Sequence, residues 1–379
     1  MGRTRTKTRK APPPTTEIVQ EKVNNPLPTI SALLEKAQDL IVQCDYELAG
    51  RFIVRALERA PNNAEALEIQ GVVQLETGDL DAAKQTFQSL LFPSPVAPPS
   101  PPPAAHLYLA QLSDDPQMAL QHYSAAVDIL FAQLKGKERA MDSPSSKNDE
   151  QEIKTTIVRA LIGQVEIWMD PACDLCFDPA AEKTCEDLLN LALQTDPENN
   201  EALQALASVR MSQQRPDDAK AMLEKAWSSW KDLEADDPKL PPIPSRLGLT
   251  KLFLELSLYT PALLVLHGIM AADDEEVEAW YLEGWCFFLM AEQAHEKEGK
   301  LEDMSWEDLG RDSRDCLETC KVLHVNQEHP DRPLLDHVNE LITKLEELGI
   351  RPSPEEEADD NDDWEDAEGE DSDNDVEMS

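Results

Sequence analysis

Between residues 29 and 350 the apolar residues fall three and four apart in short blocks, and Asn, Asp, Gly or Pro closes most of them. A stripe with that spacing marks a helix with one buried face, and blocks arriving in close pairs predict helical hairpins. The segment 64–95, AEALEIQGVVQLETGDLDAAKQTFQSLLFPSP, sets Leu67, Gly71, Gly78, Ala83, Phe87 and Pro95 at positions 4, 8, 15, 20, 24 and 32 of a 34-residue period. One period earlier, Leu33, Ala37, Leu40, Ala49, Ile53, Ala56 and Pro61 fall at positions 4, 8, 11, 20, 24, 27 and 32. Small residues therefore recur where two helices of a hairpin must approach, and large ones recur where the seam between them must be filled.

The same phase continues along the sequence. AAHLYLAQL and QMALQHYSAAVDIL, with Ala119, Tyr123 and Ala126, form a third pair, and Cys185, Leu189, Ala192 and Pro197 mark the second helix of a fourth. A fifth begins at Asn200 and carries Leu203, Leu206, Ala207, Ala219, Leu223 and Ala226; a sixth, near 245–275, keeps Ala262, Leu266 and Ile269. The seventh opens on VEAWYLEGWCFF, with Trp280, Gly284 and Phe287 at positions 4, 8 and 11. This pattern closely resembles the tetratricopeptide repeat. The resemblance implies an all-α, right-handed superhelical solenoid of about seven hairpins, and PLLDHVNELITKLEEL, between a proline and Gly349, fits a C-terminal capping helix.

Three parts follow: a basic arm over 1–28, the solenoid over 29–350 and an acidic tail over 351–379, both termini expected to be disordered. Loops are expected near 93–103 (PSPVAPPSPPP, a proline-rich spacer), 136–151 and 292–304, with a shorter break, DPKLPPIPS, at 237–245.

Charge sharpens this outline. The net charge is -41; residues 353–379 hold 15 acidic and no basic residues, and residues 1–10 hold five basic and no acidic ones. Residues 11–352 therefore carry -41 - 5 + 15 = -31 by themselves. A field of that sign repels nucleic-acid phosphates and favours basic partners. The arm MGRTRTKTRK reads best as a nuclear localisation or nucleic-acid segment. The tail reads as a flexible polyanion with one ring, Trp364, and with Ser372 in an acidophilic-kinase context. Seven cysteines without a regular framework, and no hydrophobic N-terminal segment, argue for a reducing compartment in the cytoplasm or nucleus. No uninterrupted membrane-spanning run is present, because Glu255, Pro261 and His267 break the most apolar segment.

No phosphate loop, nucleophile elbow, zinc-protease motif or dinucleotide fingerprint occurs, so no enzymatic activity and no cofactor are expected. Cys173 and Cys176 have CxxC spacing with Cys185 nearby, but no second pair or neighbouring histidine completes a metal set. Cys316, Cys320 and His324 share one helical face at seam positions and are expected as core. The repeat resemblance directs attention to the inner face, lined by positions 2, 5, 9 and 12 of each first helix. Those positions hold Glu65, Glu68, Val72 and Leu75; Glu201, Gln204 and Ser208; and Glu278, Tyr281, Trp285 and Phe288. Carboxylates alternating with rings can pair with Arg and Lys and stack on their stems. The sign is opposite to that of co-chaperones whose basic clamp holds acidic C-termini.

Basic arm, acidic repeats, the DPACDLCFDP turn and acidic tail together resemble the fungal family of dedicated assembly chaperones for the large-subunit ribosomal protein numbered four. That resemblance implies capture of a newly made basic client, shielding of its positively charged loop and delivery to nuclear pre-ribosomes, by a monomer in a one-to-one complex. The alternatives are a tetratricopeptide histone chaperone or nuclear scaffold, and a substrate-docking subunit of an enzyme.

Overall fold

A computed structural model describes residues 28–352 except 96, 141–143, 236, 297–299 and 302; residues 1–27 and 353–379, which carry the basic arm, Trp364 and Ser372, lie outside the described residues. The helices are α1 (Ile30–Val42), α2 (Tyr46–Arg59), α3 (Ala64–Glu76), α4 (Leu80–Ser89), α5 (Pro103–Gln111), α6 (Pro116–Ala140), α7 (Pro144–Met169), α8 (Ala181–Thr195), α9 (Asn200–Ser212), α10 (Pro216–Ser228), α11 (Ile243–Glu255), α12 (Tyr259–Met270), α13 (Val277–Glu296), α14 (Trp306–Asn326) and α15 (Arg332–Glu347).

Local chemistry sets many of these ends. Thr29, Asp45, Asn63, Asp79, Asn199, Ser305 and Asp331 each stand just before a helix and accept a hydrogen bond from a backbone N–H of its first turn. Such caps satisfy donors that have no partner within the helix. Within four hairpins the turn passes through one left-handed residue, always fifteenth from the start of the first helix: Cys44, Gly78, Gln214 and Ser257, with φ of 58°, 81°, 58° and 56°.

The protein divides into two compact units, 1–126 and 127–379. In the first, α1 pairs with α2 and α3 with α4, and α5 follows against α4. The start of α6 returns along α5, where the His106 and His122 Nδ1 atoms lie 3.1 Å apart. In the second, α7–α8, α9–α10, α11–α12 and α13–α14 are hairpins, and α15 packs on α14 and α13. Seven hairpins and a final helix are what the period predicts.

The seams also follow the period. Leu33, Leu34, Ala37, Leu40, Ala49, Ile53 and Ala56 are buried in the first hairpin, and Ala207, Ala219, Leu223, Phe253, Ala262, Leu266 and Ile269 are buried farther along. Two glycines are required by contact rather than by turn geometry. A Cβ on Gly71 would stand 2.6 Å from the Phe87 ring, and one on Gly284 would stand 2.7 Å from Leu317.

Two segments differ from the loops expected. Residues 136–151 are helical up to Ala140 and again from Pro144, since a polar composition does not by itself exclude a helix. Glu150 pairs with Lys154 one turn on at 2.6 Å, and Lys137 of α6 reaches Asp149 of α7 at 2.7 Å. In the 292–304 insertion, α13 continues to Glu296 and a two-rung antiparallel ladder, β1 (Lys300–Leu301) with β2 (Met304–Ser305), leads into α14.

Candidate functional site

Within the second unit, successive first helices α7, α9, α11 and α13 adjoin one another more extensively than successive second helices do. The first helices therefore form the inner face of this unit, and their polar residues meet across it. Arg159 Nε of α7 lies 3.4 Å from Glu201 of α9, and Lys251 Nζ of α11 lies 2.5 Å from Glu278 of α13. These pairs keep substantial solvent contact, so each is worth about 0–1 kcal/mol and can be exchanged for a partner's cation. Glu166 of α7 belongs to the same face. Its side chain keeps an exposed edge, yet crowding by protein and then the Glu201 charge hold its carboxyl above the usual range. Sequence reasoning missed Glu166, Arg159 and Lys251: α7 has no clean first-helix signature, and a pair between neighbouring helices has no local one.

Other expected contact residues are less accessible. Gln204 is buried and donates Nε2 to Ser245 Oγ at 3.3 Å, joining α9 to α11. Ser208 is half-buried, and its carbonyl accepts from the Ser212 hydroxyl. Phe288 is 4% exposed, packed with Val338, Leu341, Ile342 and Leu345 of α15, so it is core rather than a binding ring. The cap covers it, and α15 enters the seam only through tertiary packing.

Tyr281 and Trp285 are half-buried and stack with centroids 5.9 Å apart. His337 of α15 stands edge-on to both rings and shares a 2.8 Å hydrogen bond between its Nδ1 and the Tyr281 hydroxyl. Burial, then Cys320 and Glu278, push that hydroxyl up to about 12. It thus stays protonated near neutral pH. The half-exposed pair remains able to receive an aliphatic or guanidinium stem.

In the first unit, Glu65 is exposed and Glu68 half-buried on α3. Burial, then Glu65, raise the Glu68 carboxyl, and burial followed by Glu68 and Glu76 raises the Tyr108 hydroxyl. Tyr108 itself stacks on Phe87 at 4.7 Å. Val72 and Leu75, expected to face a partner, pack against the Phe87, Leu90 and Leu109 core and are half-buried there.

The cysteine groups have separate partners. Cys316 Sγ donates to Glu283 Oε2 at 3.6 Å, Cys320 Sγ to the Val277 carbonyl at 3.5 Å, and His324 Nε2 lies 2.8 Å from the Asp331 carbonyl. Cys173 and Cys176 stand in two 3₁₀ turns, Pro171–Cys173 and Leu175–Phe177, joined at Asp174 with φ 55°. The Cys173 thiol donates to Asp170 at 3.3 Å and is pushed up by burial and that neighbour, so it is a poor thiolate. Among the described residues no group of three or more His, Cys, Asp or Glu is arranged to hold a metal ion, and no helix is long and apolar enough to cross a membrane.

Paired helices with small residues at the close approaches and an inner face made by first helices define a protein of the tetratricopeptide-repeat class. A tetratricopeptide repeat protein from Parabacteroides merdae superposes with TM-score 0.50 at 12% identity, covering 83% of this chain and 98% of that one. A solved structure of the assembly chaperone of RpL4, Acl4 (residues 1–338), gives TM-score 0.64 at 28% identity, over 72% of this chain and 100% of that one. Probable assembly chaperones of rpl4 from Emericella nidulans and Schizosaccharomyces pombe are 31% and 30% identical over 354 and 318 residues, covering 89% and 83% of this chain and 85% and 90% of those relatives. No protein-family model matches the sequence. The chain belongs to the family of rpl4 assembly chaperones.

Proposed function

We propose that the protein is a dedicated chaperone that holds a newly made, basic large-subunit ribosomal protein four until it enters pre-ribosomes. The observation that carries the reading is the 31% identity over 354 residues to a probable assembly chaperone of rpl4, joined to a charge of -31 over residues 11–352. A loop rich in Lys and Arg has no partner until ribosomal RNA neutralises it, and a carboxylate-lined face can occupy it meanwhile. Glu65 and Glu68 in one unit, and Glu166, Glu201, Glu278, Tyr281 and Trp285 in the other, are the contacts assigned to it. Client cations displace Arg159 and Lys251 from their carboxylates, and RNA later removes the client by offering denser negative charge. Loading in the cytoplasm, release in the nucleus and a one-to-one complex complete this reading.

The test is affinity purification from cells followed by mass spectrometry. Recovery of one ribosomal protein in stoichiometric amount is expected; recovery of histones alone, or of an enzyme core, defeats the proposal. Reversing charge at Glu65, Glu68 and Glu278 and truncating Trp285 weakens capture while circular dichroism stays unchanged. Binding unaltered by all four changes would remove the face assignment while leaving the client in place.

A further inference from the structure

Helix α15 runs beside α13 in the same direction. His337 stands against Tyr281 and Trp285, and farther along Lys344 lies over the Phe288 ring at 5.9 Å. Beyond them Leu345 and Leu348 of α15 share with Glu292 and Glu296 of α13 the lining of a cavity of about 270 Å³. His295 and Trp306 also line it, their rings 5.0 Å apart and nearly perpendicular. Most of this lining is open to solvent: Glu292, His295, Glu296 and Leu348 are exposed, Leu348 to 51%, and Trp306 is half-buried. The two carboxylates stand one turn apart, and neither meets a cation among the described residues.

An apolar wall rimmed by unmatched carboxylates suits a cation carried on an apolar stem. An acidic occupant, the chain's own residues 353–379 included, is repelled by the same carboxylates. Arginine fits better than lysine, because a planar guanidinium can lie on an indole face while its N–H fork meets a carboxylate. Glu292 follows Trp285 by two turns of α13, about 10 Å along the axis, so the cavity continues the face assigned to the basic client. We propose that the cavity between α13, α14 and α15 receives an arginine side chain of that client. The identity of the polypeptide rests on the client reading; the preference for arginine rests on the cavity alone.

The indole N–H signals of the full-length, ¹⁵N-labelled protein test it, with Trp306 identified by Trp306→Phe. The probes are N-acetyl-Gly-Arg-Gly-amide and the same peptide with lysine, or with the neutral isostere citrulline, in place of arginine. The Trp306 signal is expected to move saturably with the arginine peptide, with affinity at least about threefold weaker for lysine and about tenfold weaker for citrulline. The double change Glu292→Gln with Glu296→Gln, at two exposed positions that leave circular dichroism unaltered, weakens the arginine response at least about tenfold. No movement, equal affinity for citrulline or lysine, or a response unchanged in the double variant overturns the proposal. An arginine response that passes these controls while purification recovers no basic client defeats the client reading and with it the assignment of the arginine to that client. A client recovered without an arginine response defeats the cavity assignment alone.

Discussion

At the residue scale, contact decides identity more often than charge does. Gly71 and Phe87 were legible from the sequence because a small residue at position 8 and a large one at position 24 form one seam. Gly71→Ala sets a methyl 2.6 Å from a fully buried ring and is expected to lower unfolding free energy by about 1–3 kcal/mol, read by urea denaturation. The left-handed turn at position 15 was legible only at Gly78; Cys44, Gln214 and Ser257 adopt it without a glycine because the hairpin around them fixes the path. The carboxyl of Glu166 carries a further prediction. Its folded pKa is raised above 4.5, so its ionisation opposes folding: the contribution is favourable below about pH 4.5 and is lost as pH rises through the higher folded value. Glu166→Gln is therefore expected to raise the thermal midpoint at pH 7 but not at pH 4, while weakening client capture. Equal midpoints at both pH values would remove the raised pKa from the account.

At the element scale, the capping helix decides what the seventh hairpin presents. Helix α15 was legible from its amphipathic stripe and terminal Gly349, but its docking site was not, so the repeat frame assigns Phe288 to a surface that α15 covers. Arg314 fastens α14 to this cap through Glu346 and the Ile350 carbonyl. Arg314→Met leaves that carbonyl unpaired and is expected to cost about 2–4 kcal/mol, with hydrogen exchange accelerating first in 332–350. Uniform acceleration across 127–352 would mean that the cap is not a separate step of opening. The polar run at 136–151 illustrates the opposite failure. Composition alone does not separate a polar loop from a polar helix, and the Glu150–Lys154 pair one turn apart belongs to the helical outcome.

At the scale of the whole molecule, the proposed work depends on charge that is numerous and only locally paired. The inner-face pairs Arg159–Glu201 and Lys251–Glu278 are solvent-accessible, so added salt weakens them and the client contacts together. Affinity for a Lys- and Arg-rich client peptide is expected to fall at least about tenfold as ionic strength rises from about 0.05 to 0.5 M, with most of the change in the association rate. Salt-independent affinity by calorimetry would shift the reading from carboxylates to rings. Removing 353–379, which takes away 15 acidic residues, is expected to reduce client solubility more than specific recognition.

The sequence by itself determined the helical class, the seven hairpins and the sign of the field, because these depend on spacing, small residues and charge, all of which are local or additive. Tertiary structure decided which inner positions remain open. Gln204 is spent on Ser245, Val72 and Leu75 on the core shared by α4 and α5, and Phe288 on the cap, while Arg159 and Lys251 arrive from neighbouring helices to meet Glu201 and Glu278. Pairing across helices depends on distances between segments far apart in the sequence, and a repeat pattern specifies each hairpin's own seam without specifying what its neighbours bring to it.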